Sequence, residues 1–248
     1  MPTVLVIGDS HTRALSLAAS SIDSQGVDLE IRWLMVEKDG ASRGDLPMDE
    51  ALRKVKALGE GDLLVLSILG TLHNIYGLLR HEQPFWVCGD GAAETVPPGC
   101  EVIPRQAVRA LFRHQIHKNK RVRQLLDECC ARKAFLMTPP PKGDAGFIES
   151  RISKYRDRLV SEAGVTEREV RLRLWQLEAQ EVGDYACSKE ATLISPPARC
   201  LDVDGFLAAD YYGPDATHAN AEYGRCVLEE LVALAKPGRS DGLPAGDF

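Results

Sequence analysis

Apolar residues in this chain fall into short blocks that stop at glycine or proline, and between the blocks the spacing lengthens to the three-and-four repeat of a helix. The first block, Val4-Leu5-Val6-Ile7, is rich in β-branched residues and stops at Gly8. The second runs from Val27 to Val36. The third, Asp62-Leu63-Leu64-Val65-Leu66-Ser67-Ile68-Leu69, is the most apolar and stops at Gly70. A fourth, Lys133 to Thr138, ends at Pro139-Pro140-Pro141, and a fifth, Ala191 to Ser195, ends at Pro196. Continuous apolar runs predict strands buried on both faces of a parallel sheet rather than the alternating strands of a half-exposed one.

The intervening stretches predict helices. Pro47 to Leu58 has a charged face and closes at Gly59, Gln106 to Arg132 reads as one basic helix, and Ala221 to Ala235 as the last. Residues 148–182 carry Ile152, Tyr155 and Leu159, then Val170, Leu174 and Leu177, at helical spacing. They predict two helices broken near Gly164, the second opened by a capping box at Thr166 and Glu169. Strands alternating with helices predict an α/β protein, a three-layer αβα sandwich on a five-stranded parallel sheet.

The alternation is interrupted between Arg80 and Pro104. Pro84, Pro97, Pro98 and Pro104 alternate there with Phe85-Trp86-Val87-Cys88 and Val102-Ile103. An inserted loop at about 80–104 with a small hairpin is expected, of the kind that serves as a lid. Phe85 and Trp86 can contact substrate or plug the insertion into the core. The Glu37 to Asp45 stretch reads as a glycine-punctuated loop, and residues 236–248, rich in glycine and proline, as a flexible tail.

With 248 residues, 44% apolar and 27% charged, the chain suits a single domain over residues 1–235. No apolar run approaches the roughly 20 residues of a membrane span. Seven cysteines, an odd number without metal-type pairs, are expected as reduced thiols. The start of the chain lacks the basic and apolar regions of a signal peptide, so a cytoplasmic protein is expected. A net charge of −6 argues against nucleic acid as the main partner. Neither H-E-x-x-H, G-x-x-x-x-G-K-[ST] nor G-x-G-x-x-G occurs, so no metal and no nucleotide cofactor is expected. The basic face of Gln106 to Arg132 can be solvated or can bind anions.

Two stretches carry chemistry. After the first strand, Gly8-Asp9-Ser10-His11-Thr12 places Ser10 at the carboxyl end of the sheet, on the first turn of a helix, as a nucleophile or as an N-cap. Before the last helix, Asp215-Ala216-Thr217-His218 sets an acid three residues ahead of a histidine. A histidine oriented by a carboxylate can take a proton from a serine. The same spacing also describes an Asp-capped turn with a surface histidine.

Together, these stretches match the first and last sequence blocks of the SGNH, or GDSL-type, hydrolases, which the chain resembles from residue 1 to about 235. Thr138-Pro139-Pro140-Pro141 is similar to that family as well. The resemblance implies a flavodoxin-like sandwich in which Ser10 is the nucleophile, His218 the base and Asp215 its partner. His11-Thr12 after Ser10 departs from the G-x-S-x-G elbow of the other large α/β-hydrolase fold. Two middle blocks of the family supply oxyanion donors. Gly44 is the better match for the glycine N–H, with Gly40 second. The block G-x-N-D would place its asparagine and acid where this chain has Leu72 and His73. Asn74 is therefore assigned, with Thr71 and His73 as alternatives. The implied oxyanion hole is the Ser10 N–H, the Gly44 N–H and the Asn74 amide.

The resulting expectation is a serine ester hydrolase acting through an acyl-enzyme on a short-chain acyl ester, of a small-molecule or carbohydrate alcohol. The alternatives are an O-acyltransferase on a glycan and a binding protein that has lost part of its oxyanion hole.

Overall fold

A computed structural model of the chain describes residues 1–38, 40–88, 95–156 and 158–236. The five apolar blocks become strands β1 (Thr3–Gly8), β2 (Asp28–Trp33), β3 (Leu63–Ser67), β4 (Arg132–Leu136) and β5 (Thr192–Ile194) of one sheet. All its pairings are parallel, and the order across it is β5-β4-β3-β1-β2. This is a flavodoxin-like order that reverses between β1 and β3, and ligands of such sheets collect outside the carboxyl ends at that reversal.

Successive side chains along β1 point to opposite faces, and each face has its own helices. Leu5 and Ile7 pack with Leu64, Leu66 and Phe135 under α2 (Met48–Lys56), α5 (Lys120–Asp127) and α7 (Arg168–Ser188). Val4 and Val6 pack with Val65, Ala134 and Leu136 under α1 (Thr12–Ala18) and α8 (Ala221–Ala235). Three further helices are α3 (Leu72–Gly77), α4 (Arg105–His117) and α6 (Ala145–Arg151). The three-layer αβα architecture is the expected one. Among the described residues no helix is long and apolar enough to cross a membrane.

Several local expectations are corrected. The basic stretch forms two helices, because Asn119 breaks it and caps α5 by accepting from the Val122 amide at 3.2 Å. Glu37 to Asp45 contains an antiparallel ribbon, 36–38 against 41–43. Residues 148–182 hold the end of α6, a small ribbon pairing 154–155 with 158–159, and one turn at 160–163 before Gly164. No capping box opens α7: Thr166 is buried, and the cap position, Glu167, makes no side-chain cap bond. In the insertion, 85–87 and 101–103 pair in parallel, so the expected hairpin is absent among the described residues. Trp86 is buried against Val108, Phe112 and Leu174 in a cluster of its own. Part of the insertion, 89–94, and the expected tail beyond 236 lie outside the described residues.

Candidate active site

Gly8 ends β1 and the chain turns at once. The Asp9 amide donates to the Ser67 carbonyl at 3.1 Å, and Asp9 Oδ1 accepts from the His11 amide at 3.0 Å. Helix α1 begins only at Thr12, with His11 in the cap position and no side-chain cap bond. Ser10 is therefore neither on the first helical turn nor the N-cap. The turn is closed by Asp9, which leaves the serine hydroxyl free.

That hydroxyl meets the loop ahead of α8. His218 Nε2 lies 2.8 Å from Ser10 Oγ, and His218 Nδ1 lies 2.8 Å from Asp215 Oδ2. A carboxylate facing Nδ1 makes that nitrogen the donor, so Nε2 presents its lone pair to the serine. Asp215 Oδ1 accepts from the amides of Thr217 at 2.9 Å and His218 at 2.8 Å. The Asp-capped turn and the carboxylate-oriented histidine are thus one structure. Gly213 closes the loop by donating to the His218 carbonyl at 2.9 Å, and a Cβ there would fall 2.5 Å from that same oxygen.

Electrostatics follow from this packing. Burial works to raise the Asp215 pKa, but the His218 ring N–H and the amides of His218 and Thr217 outweigh it, holding the carboxyl well below the usual range. The His11 ring lies 4.5 Å from the His218 ring, centroid to centroid. Burial, and then repulsion from His218 and His73, push His11 down to about 3, so it is a neutral packing partner at pH 7. Burial pushes Asp9 up to about 6, opposed by the His11 amide and the charges of His218 and Arg121.

No family model and no curated protein matches the chain. Solved structures similar to it include a carbohydrate acetylesterase family member from Sinorhizobium meliloti, at 12% identity and a TM-score of 0.47, covering 94% of this chain and 97% of that one. The aryl esterase of M. smegmatis is similar at 11% identity and a TM-score of 0.46, over 94% and 98%. A protein of the G-D-S-L family from Desulfitobacterium hafniense is similar at 11% identity and a TM-score of 0.43, over 95% and 100%.

The residues expected to hold an oxyanion lie on the segments that follow β2 and β3. Gly44 has φ +102°, and a Cβ there would fall 2.8 Å from the Trp33 and Leu34 carbonyl oxygens, so its backbone lies directly on the end of β2. The Leu34 amide donates to the Gly8 carbonyl at 2.8 Å, which ties that place to the start of the Ser10 turn. Gly40 sits at the open tip of the ribbon with nothing within 4 Å of its would-be Cβ. Among the described residues, neither the Ser10 nor the Gly44 amide has a hydrogen-bond acceptor.

Helix α3 sorts the remaining alternatives. The amides of Leu72 and His73 donate to the buried Glu178 carboxylate at 2.9 and 2.8 Å, and His73 Nδ1 lies 2.9 Å from Glu178 Oε2. His73 is thereby committed to α7, with its ring 2% exposed. Thr71, in the cap position of α3, and Asn74 are three residues apart and share another face. Asn74 is buried, and its side-chain amide has no hydrogen-bond partner among the described residues.

Residues the sequence did not single out hold this site in place. Lys142, just beyond the Pro139–Pro141 stop of β4, is buried, and its ammonium donates to the carbonyls of Gly213, at 3.0 Å, and of Asp215. It lies over the rings of Phe147 and Tyr212. Arg171 of α7 is buried in turn, donating to the carbonyls of Thr166, Lys142 and Gly143. Nothing local marks Lys142. Arg171, Glu178 and Glu181 do leave a signal: charges on the apolar spacing that runs through Leu174 and Leu177. Among the described residues, no group of three metal-ligating side chains gathers.

Proposed function

We propose that this protein is an SGNH-type serine ester hydrolase. The observation that carries this reading is the chain of two 2.8 Å contacts from Ser10 Oγ through His218 to Asp215. In the first step His218 Nε2 takes the Ser10 proton as the oxygen attacks the ester carbonyl, and the imidazolium is stabilised by the charged Asp215. The oxyanion is held by the free amides of Ser10 and Gly44 and by the Asn74 side chain. His218 returns the proton to the leaving alcohol. Water then repeats the sequence on the acyl-Ser10 ester and restores the free enzyme. A short acyl group on a small or carbohydrate-like alcohol is the substrate class carried by the sequence resemblance.

The test is hydrolysis of p-nitrophenyl acetate and longer homologues by the purified protein and by Ser10→Ala. Turnover present in the first and lost in the second supports the reading. Equal background rates in both would remove Ser10 as the nucleophile for these esters.

A further inference from the structure

The basic stretch over α4 and α5 divides into two parts with different surroundings. Arg105, Arg109 and Arg113 are taken up by Gln180, Glu181 and Asp184 of α7. Lys118 and Arg121, flanking the break at Asn119, are exposed, and neither has a carboxylate within ion-pair distance among the described residues. In a chain of net charge −6 these two cations stand on the wall of one cavity, of about 490 Å³.

The same cavity is lined by Gly8 and Asp9, the two residues before Ser10, and by Gly70 and Thr71 beyond β3. It therefore sits at the β1/β3 reversal, beside the proposed nucleophile. The charge of Arg121 reaches Asp9, whose acidity it strengthens. Two carboxyl groups in the cavity could oppose an anion. Asp9, pushed up to about 6 by burial, is still mostly ionised at pH 7, and the charge of Arg121 faces it. Glu178 is engaged by two backbone amides and the His73 ring. No acidic residue occupies the first turn of α5, so the partial positive charge of that helix end adds to the two side chains.

We propose that this cavity is an anion subsite of the hydrolase: the substrate joins its ester, on the acyl or the alcohol side, to a carboxylate, sulfate or phosphate held by Lys118 and Arg121. The inference rests on the hydrolase reading given above. It restricts the substrate class to acidic esters, with the cavity accommodating the link between the anion and the reacting carbonyl.

Matched pairs of esters test it. Mono-p-nitrophenyl succinate against p-nitrophenyl butyrate probes the acyl side, and 4-acetoxybenzoate against phenyl acetate the alcohol side. The readout is the anionic-to-neutral ratio of kcat/KM, each rate divided by that of alkaline hydrolysis. Two partly exposed charge pairs predict a ratio of about tenfold for one pair of esters. That ratio should collapse in the K118Q/R121Q protein through KM and shrink at high salt. A ratio near one for both pairs, or one untouched by the double substitution, overturns the proposal while leaving the hydrolase reading intact. If no ester is turned over, the hydrolase reading fails separately. Calorimetric binding of the two anionic esters to Ser10→Ala then decides the subsite. Binding lost on adding K118Q/R121Q upholds it, and no binding, or binding indifferent to those substitutions, overturns it.

Discussion

Replacing Lys142 by methionine keeps the length of the side chain but removes the ammonium that ties the strand-4 loop to the carbonyls of Gly213 and Asp215. Burial lowers the pKa of this lysine from 10.5 to about 8. That corresponds to a cost of about 3 kcal/mol for keeping the charged form folded at neutral pH. Methionine leaves two carbonyls without their donor, at about 1–3 kcal/mol each, so the net loss on substitution at pH 7 should not exceed about 3 kcal/mol. The sign of the pH dependence follows directly. Above about 8 the folded lysine has released its proton, while the unfolded one holds it up to 10.5. Over that window the unfolded state binds more protons, so the wild type gains up to about 3 kcal/mol relative to the variant as pH rises. Below it the difference between them is flat. Urea unfolding of both proteins from neutral to alkaline pH measures this divergence. Activity should respond differently: with Asp215 and His218 on a loosened loop, kcat at pH 7 should fall by about a hundredfold, the scale of a 1 Å misplacement. Parallel stability profiles would refute the buried-cation argument, and an unchanged kcat would refute the positioning one.

Three further outcomes are expected. Asp215→Asn keeps an oxygen for the turn but presents an amide to His218 Nδ1, so kcat should drop by about 10⁴-fold while the fold survives, as near-native circular dichroism would register. Asn74→Ala should cost about 10²–10³-fold in kcat and Thr71→Val less than about tenfold; the reverse order in steady-state kinetics would make Thr71 the donor. Glu178→Ala leaves two amides of α3 and the His73 ring without their acceptor, and should destabilise by about 3–5 kcal/mol; a urea-measured loss under about 1 kcal/mol would mean that water replaces the carboxylate.

The strands were legible because each is buried on both faces and so is written as an unbroken apolar run. Asp215 and His218 were legible because a turn of three residues brings them together, and Ser10 because it stands where a strand stops. Lys142 acts across 71 and 73 residues, which no local pattern encodes, while charges on the apolar spacing of α7 mark Arg171 and Glu178 without naming their partners. The capping box at Thr166 was misread because a hydroxyl near the start of a helix can be buried by tertiary packing instead of bonding to that start. The basic stretch looked continuous because its apolar positions keep helical spacing through Asn119, whose capping bond breaks it. In the insertion, a proline-rich connection allowed a parallel pairing where proximity in sequence suggested a hairpin.

Ser10 and His218 are 208 positions apart, on either side of nearly the whole fold. A ribosome adding about 5–20 residues per second therefore exposes the serine about 10–40 s before its partner has even been synthesised. During that interval the hydroxyl is an ordinary alcohol. In the folded chain the helix that follows His218, α8, packs against α1, the helix that follows Ser10. On the proposed hydrolase reading, any nascent or clipped fragment that stops short of the last loop lacks the histidine that would activate Ser10, so activity toward esters would begin only in chains translated through that loop.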